Sequence, residues 1–208
     1  MVNSPLTIAL IAITCITSYM AWNNRDVYFK WIGNPYMMVH RKQYHRLISA
    51  GFLHADLGHL AFNMITLYFF GPLTEAFFAA RFGDITGGVV YIGFYLLAMV
   101  VSSLPSLVKY KDYPHYNALG ASGAVSAVLF FFVLFAPLEN LYLYFAIPIP
   151  AIIFGVLYIA FSYYMAKRNA DNIGHDAHLF GALFGFFAPI AIEPRLALSF
   201  IDQLLSAL

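Results

Sequence analysis

The sequence predicts an all-α membrane protein built as a six-transmembrane-helix bundle, and three observations carry that prediction. Of 208 residues, 62% are hydrophobic and only 10% are charged, whereas soluble domains carry about 25% charged residues. The charges are clustered, leaving charge-free runs at 1–24, 57–74, 85–108, 113–138, 140–166 and 177–192. Each run reaches or narrowly misses the roughly 17–25 residues that a membrane-crossing helix needs. Lipid offers backbone groups no hydrogen-bond partner, so apolar runs of this length must close their bonds internally, as helices.

The first span is placed at 5–22. No Lys or Arg precedes it and no small-x-small cleavage site follows it, so it reads as a retained helix rather than a signal peptide. Cys15, the only cysteine, lies within it, which excludes an intrachain disulfide. The longest connection, 23–56, follows; it holds Trp31, Tyr36, Met37, Met38, Tyr44 and five of the eleven basic residues. Such mixing suits a segment lying in the membrane interface. The remaining spans fall at 57–78, 87–104, 119–135, 149–166 and 177–192. Pro105, Pro114, Pro137, Pro148 and Pro150 sit at or near their ends, where a helix can stop without breaking a span. With no internal repeat or low-complexity tract, residues 1–208 read as one domain. The net charge of +1 and the apolar composition leave little room for a basic face, so nucleic acid is not an expected partner.

Polar groups at membrane depth are costly and ask for a reason. They gather at the starts of three spans. The second opens with His54, His59 and Asn63, the fourth with Gly120-Ala121-Ser122-Gly123, and the sixth with His175, Asp176 and His178. Six alternating crossings put the starts of spans 2, 4 and 6 on one side of the membrane. Glycines around Ser122 would let a substrate backbone approach the hydroxyl, although such a stretch is more often helix-packing material. Ser126, one turn on, fits the packing reading. Gly181 and Gly185 share a face with His178 and could pack on Gly123, Ala124 and Ala127, carrying the imidazole towards Ser122. His59 and Asn63, four residues apart, project together; they either donate to an oxyanion or hold helices together.

Together these motifs resemble the rhomboid family of intramembrane serine proteases. The family's His-x-x-x-Asn, Gly-x-Ser-Gly and Ala-His-x-x-Gly are matched by His59 and Asn63, by residues 120–123, and by Ala177, His178 and Gly181. Phe52-Leu53-His54, Arg46 and the pair Gly71 and Glu75 extend the likeness. It implies a rhomboid-like bundle in which Ser122 is the nucleophile and His178 the general base. His59, Asn63 and the Ser122 N–H would form the oxyanion hole. A dyad needs no third acidic member, and Asp176, two residues from His178, should face elsewhere. No cofactor or metal is expected. The implied partners are the lipid bilayer and transmembrane protein substrates entering sideways, with the fifth span as lateral gate. One departure stands out, because the family usually has an aromatic residue four after the serine, packed on the histidine, and Ser126 occupies that place.

The resemblance further implies a multi-pass protein of a bacterial inner (plasma) membrane, with its N-terminus in the cytoplasm and its active site facing outward. Charge counting points the other way: nine basic residues follow spans 1, 3 and 5, against Arg81 and Arg195 opposite. We favour the family orientation, with the loop's basic residues serving packing. Two rival functions are a catalytically inactive rhomboid-like segment binder and a zinc-dependent membrane enzyme or carrier using His54 and His59, or His175, Asp176 and His178. The second lacks His-Glu-x-x-His spacing and any nearby cysteine.

Overall fold

The computed structural model describes residues 4–143, 146–168 and 174–207. A helix occupies each of the six expected places: α1 (Pro5–Asn23), α5 (Leu57–Phe82), α6 (Asp84–Tyr110), α7 (Ser122–Phe135), α8 (Ala151–Arg168) and α9 (His175–Ile192). Three of these, Pro5–Asn23, Asp84–Tyr110 and His175–Ile192, are long and apolar enough to cross a membrane by length and composition. The polar residues His59, Asn63, Glu75 and Arg81 make α5 less apolar, and α7 has only 14 residues.

The central helix is α7. It is apolar all round, so it is stable only when covered on every side, and residues 123–131 are buried without interruption against α5, α6 and α9. The start of α1 docks on α5 through Glu75, whose carboxylate accepts from Leu6 N (3.0 Å), Thr7 N (2.8 Å) and Thr7 Oγ1 (2.7 Å). An acidic group there satisfies orphan N–H donors and complements the helix dipole. Gly71 permits the approach, since a Cβ on it would lie 2.6 Å from Thr7 Cγ2. The Gly71 and Glu75 pair is therefore a helix-docking device.

Both α5 and α6 run longer than expected, and Pro105 lies inside α6 instead of ending it. Packing in a bundle keeps a helix continuous across a proline that would stop an isolated one. Gly83 alone joins the two helices, at φ +81°, a conformation that glycine adopts without penalty.

The 23–56 connection is folded rather than simply laid in the interface. It forms α2 (Arg25–Trp31), α3 (Pro35–His40), α4 (Arg46–Ser49) and a 3-10 turn at Ala50–Phe52. Asn24 and Asn34 cap α2 and α3. Buried Arg46 donates to the Phe29 and Ile32 carbonyls at 2.8 and 2.6 Å. That charge is engaged in packing. Two further elements had no sequence expectation: an antiparallel hairpin of β1 (Asn140–Leu143) and β2 (Ile147–Pro150), and α10 (Arg195–Leu205). The hairpin shifts the start of α8 from the expected 149 to Ala151.

Candidate active site

The segment before α7 is laced to the first connection. Gly33 and Ala118 exchange two backbone bonds (2.9 and 2.8 Å), and Gly120 N donates to Ala50 O at 3.0 Å. The helix begins at Ser122, three residues later than the expected 119. Ser122 is thus the first residue of a helix, where backbone N–H groups have no carbonyl four residues back to bond. Gly120 sits at φ +122°, and a Cβ there would lie 2.7 Å from His59 Cε1. Glycine is required twice at this position, for its φ and for the ring lying over it.

The starts of α5, α7 and α9 converge. Gly181 of α9 packs on the Gly123 backbone and Gly185 on that of Ala127, so closely that no side chain fits at either glycine. This is the expected glycine ridge. His178 lies one turn before Gly181, and Ser122 one residue before Gly123, so both fall at the same end of this parallel contact. Both residues are partly buried. Asn63 is buried at 2% exposure, and its Nδ2 donates to the His59 carbonyl at 2.9 Å. Asp176 reaches towards α6, with its carboxylate 3.8 Å from Lys109 Nζ.

His54 proves to be part of the scaffold. Its Nε2 accepts from Ala121 N at 3.3 Å, and its Nδ1 pairs with Ser18 Oγ at 3.0 Å. Since Ser18 Oγ also donates to Phe52 O, the network requires neutral His54 with its proton on Nδ1. Both nitrogens are occupied, which removes it as a zinc ligand. Among the described residues, no three His, Cys, Asp or Glu side chains gather to hold a metal.

Burial pushes the His54 pKa down to about 4, with neighbouring His59 adding to the effect and Asp56 opposing it. The unfolded chain, with an ordinary histidine near 6.5, takes up a proton first as pH falls. The associated stability is complete above about pH 6.5 and is lost as pH drops towards 4, by up to about 3 kcal/mol. Thermal unfolding against pH is therefore expected to be flatter in His54→Ala than in wild type across that window. Parallel curves would exclude His54 as the source.

The sequence reading missed Tyr158 of α8. Its ring is stacked on that of His178, with centroids 6.3 Å apart and planes at 29°. Its hydroxyl lies 2.6 Å from Ser126 Oγ, which in turn donates to Ser122 O at 2.7 Å. Ser126 and His175 both border the site, with the His175 ring edge-on to His178 at 5.8 Å.

A transmembrane-type helical bundle with these motifs defines a class of membrane protein, and comparison with known sequences identifies it. The family model described as Rhomboid domain matches residues 41–195, and the chain belongs to the rhomboid family. It is 34% identical over 145 residues to RHOMBOID-like protein 12, mitochondrial, of Arabidopsis thaliana, covering 66% of this chain and 43% of that protein. It is 31% identical over 170 residues to Rhomboid protease GluP of Bacillus subtilis (strain 168), covering 82% of this chain and 30% of the relative. The matched region thus spans less than half the length of either.

Proposed function

We propose that the chain is an intramembrane serine endopeptidase that cuts transmembrane segments of other proteins with a Ser122–His178 dyad. The observation that carries this reading is the backbone contact of Gly123 with Gly181, which supports a shared site for hydroxyl and imidazole. Ser122 Oγ attacks the scissile carbonyl carbon while His178 takes its proton. The carbonyl oxygen becomes an oxyanion, met by the Ser122 N–H, His59 and Asn63. Collapse breaks the C–N bond, and His178 returns the proton to the departing amine. Water, deprotonated by His178, then releases the acyl fragment and restores the serine. No step draws on a metal or cofactor.

Six crossings fit this chemistry. The 14 residues of α7 rise about 21 Å, less than the roughly 30 Å of hydrocarbon. At least one end of α7 then lies below the membrane surface, and a submerged Ser122 end would sit at the depth of a substrate span. We propose a single domain over 1–208 in a bacterial inner (plasma) membrane, supported by the resemblance to six-helix bacterial members and tested by fractionation of the source cells. The catalytic reading is tested by reconstituting the purified chain in liposomes with a model single-span protein. Cleavage inside the span, insensitive to chelators, is expected. An intact substrate, or loss of activity to a chelator with restoration by zinc, overturns it.

A further inference from the structure

The residue four after the proposed nucleophile is Ser126, too small to pack on an imidazole. The ring that packs there comes from a different helix. Tyr158 of α8 stacks on His178 at a centroid distance within the usual aromatic range of about 4.5–7 Å. Phe130 and Phe154 flank it, with centroids 5.4 and 5.8 Å away. Among the described residues its hydroxyl has one partner, Ser126 Oγ. Because Ser126 Oγ donates its hydrogen to the Ser122 carbonyl, the bond between the two hydroxyls must run from Tyr158 to Ser126. One side chain therefore touches both halves of the dyad: its face lies on the base, and its hydroxyl reaches the nucleophile's backbone through a single serine.

Building on the dyad reading, we propose that Tyr158 is the positioning residue that holds His178 against Ser122, in place of the aromatic that the serine's own helix lacks. The stack restricts the imidazole to the orientation in which it can take the Ser122 proton. The contact also ties the base to α8, the helix read as the lateral gate. Burial on α8 is confined to a narrow stripe, with Ala151, Gly155 and Ser162 buried while Ile153, Val156, Leu157 and Phe161 are exposed.

The test is the rate of covalent labelling of the purified protein by a fluorophosphonate, which reads the activated hydroxyl without needing a transmembrane segment to enter. Tyr158→Phe keeps the ring and is expected to label within a few-fold of wild type. Tyr158→Leu removes the ring and is expected to label roughly ten- to a hundredfold more slowly, the scale on which small misplacements of catalytic groups act. Rates are taken per folded molecule from thermal unfolding in the same detergent. If the Leu variant does not fold, Tyr158→Met fills the space with a flexible ringless chain and carries the same expectation. Wild-type labelling in the ringless variant, or equal slowing in Phe and ringless variants, overturns the proposal. A wild-type chain that takes no label instead removes the dyad reading beneath it, so the two failures are distinct.

Discussion

Ser122→Ala and His178→Ala are each expected to abolish cleavage of a reconstituted transmembrane substrate, with kcat falling by about 10⁴- to 10⁶-fold. The hydroxyl and its base act as a unit, so losing either removes the covalent route and the double variant is no worse than the singles. Controls should come from elsewhere in the fold. Ser126 and His175 both border the site, whereas Thr66, whose exposed hydroxyl bonds to Phe62 O on α5, is a suitable one. Thr66→Ala is expected to cleave at the wild-type rate. Cleavage at that rate by Ser122→Ala removes the nucleophile assignment.

The second large effect is expected at His59 and Asn63. The His59 ring lies over Gly120, two residues before Ser122, and Asn63 is buried with one amide hydrogen engaged by the His59 carbonyl. That bond closes within α5, from residue 63 back to residue 59, and links no second helix. An oxyanion donor does something different, because its bond strengthens as charge develops in the transition state and its loss appears in kcat with KM little changed. Removing one such donor from a soluble serine protease costs roughly 10²–10³ in rate, and a second and third donor soften the loss. We therefore expect roughly ten- to a hundredfold lower kcat in His59→Ala and Asn63→Ala, and a larger fall in the double variant. Turnover per folded molecule at the wild-type level in all three returns both residues to holding the bundle together.

The parts of this site that were legible in the sequence are those that lipid makes conspicuous. Ser122, His59, Asn63 and His178 are polar residues at the starts of apolar runs, and a bilayer tolerates few of these without a reason. The glycine ridge was legible for a related cause, since Gly181 and Gly185 fall at the helical spacing that lets backbones touch. Tyr158 was not. It sits among the other aromatics of α8, its hydroxyl hides in a pair with Ser126, and only the tertiary approach of α8 to α9 sets it apart. His54 was visible as a polar residue, but its role as acceptor for Ala121 N depends on how the loop before α7 folds back. The folded first connection was hidden by its composition. Aromatic and basic residues suit an interfacial segment, yet Arg46 is buried on carbonyls and Asn34 bridges to Pro114 and Asn117. The paired strands β1 and β2 were hidden inside a charge-free run, where period and length alone do not separate strand from helix.

The central claim is that this membrane protein carries an activated serine at residue 122, prepared by His178. It is tested most directly by treating the purified chain with a fluorophosphonate and locating the adduct by peptide mass spectrometry. The account predicts a single stoichiometric adduct on Ser122 in wild type, slowed by orders of magnitude in folded His178→Ala. No adduct, an adduct on another hydroxyl, or labelling of Ser122 at the same rate without His178 contradicts it.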